Sequence, residues 1–82
     1  MTRKPPRKNI SGRRVAQARK SCSPQLTQDD LSGKLARLGI QLDRAAVAKI
    51  ENGHRYVRDY ELRAFAEVLR ADVIWLLGDG KK

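Results

Sequence analysis

The chain of 82 residues is poor in the side chains from which enzyme sites and crosslinks are made, with one histidine and one cysteine. A lone cysteine, Cys22, cannot form an internal disulfide and fits a reducing cytoplasm. The sequence also lacks a glycine-rich phosphate loop and a cluster of metal ligands. We therefore expect no catalytic activity, no cofactor, no metal and no small-molecule ligand.

Long apolar runs are absent as well. Neither a signal peptide nor a membrane-spanning helix can be placed on this sequence. The basic N-terminal segment has no large apolar residue before Ile10, which argues against an amphipathic membrane anchor. The length leaves room for one small domain, which we predict to be cytoplasmic and free of membranes.

Acidic residues are missing from the first 20 positions, which hold eight of the 18 lysines and arginines. The formal net charge is +9 and the isoelectric point is about 10.5, so a polyanionic partner is indicated. Residues 1–10 are predicted to form a basic flexible arm that follows DNA phosphates or lies in a groove, with a solubility tail as the alternative. The cations of this arm are Arg3, Lys4, Arg7 and Lys8.

Residues 26–53 contain the start and stop signals of two consecutive helices. Thr27 can cap the first helix, with an aspartate three positions later closing a capping box. Gly39 suits the left-handed position that ends this helix. Asp43 can cap the second helix, and another glycine, Gly53, can end it. Two helices joined this closely predict a helix-turn-helix.

The second helix of this pair has an unusual exposed face. Val47 and Ile50 are its expected buried positions. The residues expected to point away from the core are Arg44, Ala45, Ala46, Ala48 and Lys49. A slim cationic face could enter a DNA major groove, where Arg and Lys donate to guanine and alanine methyls contact thymine methyls. A solvated, alanine-rich helix face is the alternative, and this helix alone does not decide between the two.

Three further helices are predicted around this pair. Ser11 can cap a first helix, Asp59 can cap a fourth, and Asp72 can cap a short fifth. No strand-like alternation occurs, so we predict an all-α domain of five helices over residues 11–78, followed by a tail at 79–82.

The predicted fifth helix is almost entirely apolar, which packing on one side does not require. We expect Val73, Leu76 and Leu77 to cover the core. Ile74 or Trp75 would then face outward as a contact for self-association, unless Trp75 folds back over the core.

The order of these elements resembles the Cro/cI-type helix-turn-helix family (XRE family), the DNA-binding domains of phage repressors and many bacterial regulators. Three motifs carry the resemblance: Leu26-Thr27-Gln28, Ile50-Glu51-Asn52-Gly53 and Val73-Ile74-Trp75-Leu76-Leu77. It covers residues 11–78 and implies a five-helix, lambda-repressor-like fold. In that fold the third helix enters the major groove, usually from a homodimer on an inverted repeat.

The resemblance also implies roles for individual residues. Base contacts fall on Arg44, Ala45 and Lys49. Backbone contacts fall on Gln28, Asn52, His54, Arg55 and Tyr56, to which the charge pattern adds Arg13 and Arg14. Two features depart from the family pattern: the long link at Gly39–Leu42, and Arg70-Ala71 where a glycine-containing turn is usual.

The sequence thus predicts a sequence-specific regulator of transcription that binds double-stranded DNA through the helix 44–52, as a repressor on an inverted repeat. The alternative is an antitoxin, or another protein-interaction module of the same fold, that also binds DNA. Few residues are spare to cover such a partner. Nonspecific nucleic-acid binding, RNA included, is a third hypothesis, but readers of unpaired bases need stacking aromatics, and this chain has few.

Overall fold

The computed structural model describes residues 6–79, which form five helices and no strand. The helices are α1 (Gly12–Ser21), α2 (Gln28–Arg37), α3 (Arg44–Glu51), α4 (Asp59–Leu69) and α5 (Val73–Leu76). The predicted all-α architecture is therefore confirmed for this part of the chain. The first two cations of the predicted arm, Arg3 and Lys4, and the end of the predicted tail lie outside the described residues.

The ends of α2 follow the sequence signals closely. Thr27 Oγ1 accepts the N–H of Asp30 at 3.0 Å, and the Asp30 carboxylate accepts the N–H of Thr27 at 2.9 Å. These two bonds form the predicted capping box, and the Thr27 N–H lowers the pKa of Asp30. At the other end, Gly39 has a φ of +80°, and the N–H of Ile40 donates to Leu35 O at 3.0 Å. This is the pattern of a Schellman ending.

The bounds of α3 are set in the same way. The Asp43 carboxylate accepts the N–H of Ala46 at 2.8 Å, as predicted. Gly53 has a φ of +78°, and the N–H of His54 donates to Lys49 O at 2.8 Å. Residues 38–43 connect α2 to α3, and the two helices pack against each other.

The predicted caps of α1 and α4 are wrong. Ser11 has helical backbone angles instead of extended ones, and its side chain makes no capping hydrogen bond. The first N–H of α1 donates to Asn9 Oδ1 at 2.7 Å instead. Asp59 is already the first residue of α4, and Arg58 takes the position before it. The N–H of Arg58 is satisfied by Glu61 Oε1 at 2.9 Å.

The hydrophobic core is formed by one face of each of the five helices. Its fully buried side chains are Val15, Leu31, Leu35, Val47, Ile50, Phe65 and Leu76. α3 packs on α1 and α2, whereas α4 packs on α1, α2 and α5. The core therefore holds α3 from one side only, and the opposite side of that helix faces solvent.

The short helix α5 differs from its prediction. Asp72 caps it as expected, with its carboxylate accepting the N–H of Ile74 at 3.0 Å. Trp75 folds back over the core and is 5% exposed, while Ile74 is 57% exposed. Leu77 was expected to cover the core but is also exposed, because Trp75 and Leu76 are the residues of α5 that face the core. Of the two predicted dimer contacts, Ile74 alone is on the surface.

The turn from α4 to α5 is made without glycine. Arg70 adopts the left-handed conformation, with φ 53° and ψ 41°. The N–H of Ala71 donates to Ala66 O at 3.0 Å, so the turn closes like the glycine-ended helices. The left-handed region is unfavourable for a residue with a side chain, so the backbone of Arg70 is strained. This turn leads the chain into α5, which packs on α1.

Candidate functional site

The face of α3 that points away from the core is short and cationic. Arg44, Ala45 and Lys49 are all exposed, as predicted. Ala48 is half-buried. Ala46 was expected on the same face, but it packs against the core because it lies one helical turn before a buried isoleucine. The outward surface of α3 is therefore two cations separated by methyl groups.

An open cleft of about 580 Å³ lies at the N-terminal end of α3, between the end of α1 and the start of α2. The residues that line it include Lys20, Gln28, Asp29 and Arg44. The structure thus brings together Gln28, predicted to contact the DNA backbone, and Arg44, predicted to contact bases.

A buried ion pair fixes this end of the site. The Glu51 carboxylate accepts Arg19 Nε at 2.8 Å and Arg19 Nη2 at 3.0 Å. The same carboxylate accepts Gln28 Nε2 at 3.0 Å, and Arg19 Nη1 donates to Leu26 O at 2.9 Å. The hydrogen bonds to Glu51 raise the pKa of Arg19. Together the four bonds connect α1, α2 and α3 at one point. The orientation of Gln28 is consequently set by Glu51.

Sequence reasoning did not assign a role to Arg19 or Glu51. Both are nevertheless in phase with the buried stripe of their helices, four positions after Val15 and Val47 respectively. One basic and one acidic residue thus occupy helix positions that periodicity predicts to be buried. This signal could have identified the pair, since charged groups are seldom buried unless they are paired.

A second open cleft, of about 610 Å³, lies at the C-terminal end of α3. It is lined by Arg7 and Lys8 from the predicted arm, Arg13 from α1, and Asn52 and His54 from the turn after α3. None of the described residues that line it is acidic. The structure therefore brings three predicted backbone contacts together with two cations of the arm.

The described part of the predicted arm is held on the helical domain. Arg7 Nη2 donates to Glu51 O at 2.8 Å, and the N–H of Lys8 donates to Gly53 O at 2.8 Å. Asn9 Nδ2 donates to Ile50 O at 3.0 Å. We expected residues 7–9 within a flexible arm; they are bound instead, by donating to carbonyl groups in the last turn of α3 and in the turn after it.

Arg14, a predicted backbone contact, is directed at α5. Its guanidinium carbon lies 4.8 Å from the centroid of the Trp75 ring, and its Nη1 donates to Trp75 O at 3.0 Å. This cation–π contact stabilises the return of α5 over α1. The structure does not bring Arg14 to the α3 face.

Arg55, another predicted backbone contact, is engaged by a carboxylate. Its Nη1 and Nη2 donate to Glu61 Oε1 and Oε2 at 2.9 and 3.1 Å. Burial raises the pKa of Glu61, but the bonds from Arg55 and from the N–H of Arg58 outweigh it, so the pKa lies below its usual value. Tyr56 is 71% exposed, with Lys8 Nζ 5.7 Å from the centroid of its ring.

Three observations bear on other kinds of site. Over residues 6–79, no group of three or more His, Cys, Asp or Glu residues could hold a metal ion. Within the same range, every helix falls short of the length and apolar character that crossing a bilayer requires. Comparisons with protein families, with curated proteins and with solved structures gave no match for this chain.

Proposed function

We propose that this protein is a sequence-specific regulator of transcription that binds double-stranded DNA, with α2 and α3 as a Cro/cI-type helix-turn-helix. The observation that carries the proposal is the slim cationic face of α3 with an open cleft at each of its ends. The alanines keep the middle of this face low, and Arg44 and Lys49 provide the donors that read guanine.

The dimensions of this surface suit a DNA groove. An α-helix with its side chains is about 10–12 Å across, less where alanines replace longer side chains as in α3, and the major groove of B-DNA is about 12 Å wide. Phosphates border the groove on both sides. A helix seated in it would therefore meet phosphates near both clefts, where Lys20 and Gln28 lie at one end and Arg13 and His54 at the other.

The charge of the chain supports the same division of labour. Affinity would come mainly from phosphate contacts and from the net charge of +9. Specificity would come from Arg44, Ala45 and Lys49, because base edges carry the sequence information. Arg14 and Arg55 would contribute through packing and loop shape, since the protein itself engages their guanidinium groups.

We further propose that the protein acts as a cytoplasmic repressor, as a homodimer on an inverted repeat. An isologous contact places two copies of α3 on equivalent half-sites. Of the two predicted dimer contacts, Ile74 is the one with an exposed side chain, and it would make this contact.

Selection from a random duplex library at near-physiological salt tests the proposal. Sequencing of the bound fraction should reveal an enriched inverted repeat. An enriched single half-site would retain sequence-specific binding and remove the dimer. Salt-sensitive binding without enrichment would contradict the proposed specificity and leave nonspecific attraction to nucleic acid.

The substitution Arg44→Ala should relax base preference at one or two positions, because it removes a donor from the α3 face. Each good base contact contributes about 1–3 kcal/mol of discrimination. Arg37→Ala is the matched control, since it removes an exposed cation from α2 without changing α3. Equal losses of Arg44→Ala on selected and scrambled duplexes would contradict the assigned role.

A further inference from the structure

The carbonyl groups at the C-terminal end of α3 receive donors from the start of the chain. The last four carbonyls of an α-helix have no partner within the helix. In α3 the first three of them accept backbone N–H groups from residues 52–54, Ile50 O that of Gly53 at 3.0 Å. Ile50 O and Glu51 O accept side-chain donors from Asn9 and Arg7, which lie 41 and 44 positions earlier in the sequence.

Asn9 uses both ends of its amide in this contact. Its Nδ2 donates to Ile50 O at 3.0 Å and to Arg55 O at 2.7 Å. Its Oδ1 accepts the N–H of Gly12 at 2.7 Å. With the residue 9% exposed, one buried side chain joins the start of α1, the end of α3 and the loop that follows α3.

Arg7 occupies a slot that two glycines leave open. A Cβ atom on Gly53 would lie 2.8 Å from Cγ, Nε and Cζ of Arg7. A Cβ atom on Gly12 would lie 2.8 Å from its Nη2 atom. The guanidinium is therefore seated against backbone on two sides, with its positive charge at the negative end of the α3 dipole.

We propose that Arg7 and Asn9 are positioning residues that clamp the C-terminal end of α3 against α1, and that discrimination between DNA sequences depends on this clamp. The second half of this inference rests on the proposed function. Asn9 is too buried to reach DNA itself. Any effect of Asn9 on base preference must therefore act through the helix that it holds.

The clamp matters most for Lys49. This residue lies in the last turn of α3, directly before the two carbonyls to which the side chains of the clamp donate. A hydrogen bond to a base edge needs its donor within a few tenths of an ångström of the right place. Without the clamp the last turn of α3 would fray. Loss of the clamp should therefore reduce base preference more at the position that Lys49 reads than at the position that Arg44 reads.

Amide hydrogen exchange of the free protein tests the clamp without DNA. The N–H groups of Gly53 and His54 close the end of α3, so their exchange reports its fraying. In Asn9→Ala both amides should exchange about tenfold faster than in the wild type. The control Asp72→Ala removes a cap from α5 and should leave the two rates unchanged. Unchanged rates in Asn9→Ala would overturn the clamp.

DNA binding by Arg7→Gln and Asn9→Ala tests the consequence for recognition. Each variant should lower the ratio of affinities for the selected and a scrambled duplex by about fivefold or more, comparable to one lost base contact. The charge control Arg63→Gln, exposed on α4, should leave this ratio unchanged. Asp72→Ala, which removes a cap from α5, is again the control for a general loss of stability and should also leave this ratio unchanged.

Two results would overturn the role in recognition. In the first, Arg7→Gln weakens binding to both duplexes equally and reduces the salt slope by about one, as for a simple phosphate contact. In the second, both variants keep the wild-type ratio of affinities.

If Asn9→Ala does not fold, the Arg7→Gln variant decides, because Arg7 is half-exposed. A wild type that binds both duplexes equally would refute the proposed function, and the role in recognition with it, while the exchange rates would still decide whether the clamp exists.

Discussion

Two buried glutamates, Glu51 and Glu61, are each held by an arginine through two hydrogen bonds. Their exposures are similarly low, at 8% and 4%. The arginines differ, because the side chain of Arg19 is 10% exposed and that of Arg55 is 32% exposed. The same chemical pair thus occurs once in the interior and once near the surface.

The difference lies in what each pair connects. Arg19 and Glu51 are 32 positions apart, and their contact joins α1 to the end of α3. Arg55 and Glu61 are six positions apart, and their contact shapes the loop before α4. The first pair therefore determines where the candidate recognition helix lies, whereas the second determines the course of one loop.

The largest effect is expected when the interior pair is broken. Arg19→Ala leaves the Glu51 carboxylate buried with Gln28 as its one remaining side-chain donor among the described residues. Breaking one partner of a buried pair costs about 3–5 kcal/mol, so urea denaturation should show a loss of this size.

Replacing both partners separates the charge from the packing. The double variant Arg19→Met with Glu51→Leu should recover most of the stability that Arg19→Ala loses, since no buried charge is left unpaired. A loss below about 1 kcal/mol for the single variant would instead place this pair among surface ion pairs.

A smaller effect is expected at the second pair. Arg55→Ala should cost about 1–2 kcal/mol in the same denaturation experiment, because water screens the exposed part of this guanidinium. The N–H of Arg58 still donates to Glu61 in the variant. A loss equal to that of Arg19→Ala would erase the distinction between the two pairs.

Acid should reduce the contribution of the second pair. The folded state lowers the pKa of Glu61 from an ordinary value of 4.5. Its stabilisation is therefore complete above about pH 4.5 and is lost as the pH falls through the lower, folded pKa. The stability difference between wild type and Arg55→Ala should shrink between pH 7 and pH 3. A difference that stays constant over this interval would contradict the assignment.

The smallest expected effect supplies a background for these comparisons. Arg70→Gly removes a side chain from the left-handed region and should stabilise the fold by about 0.5–1 kcal/mol, after the entropy of glycine is counted. Thermal denaturation would measure the gain. The Arg70→Gly variant can then serve as a more stable background in which Arg19→Ala stays folded. A lower free energy of unfolding in Arg70→Gly would mean that the Arg70 side chain contributes more than its strain costs.

Local signals predicted the helix boundaries well. Thr27, Asp43 and Asp72 cap their helices, and Gly39 and Gly53 end theirs, because each of these interactions spans a few residues. The exposure of Arg44, Ala45 and Lys49 also follows from helical periodicity. The prediction failed for Ser11, whose role passes to Asn9 because Asn9 is held by carbonyl groups of α3 and its loop.

The remaining features of the site depend on contacts that no local pattern encodes. Arg14 meets Trp75 across 61 positions, and Arg19 meets Glu51 across 32. Sequence reasoning treated basic residues as available for DNA, and the fold engages some of them internally. Which cation faces outward is decided by the packing of distant helices, and that packing has to be seen.

The contact of Arg14 with Trp75 gives this chain a built-in optical reporter. Trp75 is the one tryptophan of the sequence, so all tryptophan fluorescence comes from the place where α5 meets α1. Detachment of α5 would expose the indole to water and shift its emission to longer wavelength. The position of this short helix can therefore be followed in solution without any added label.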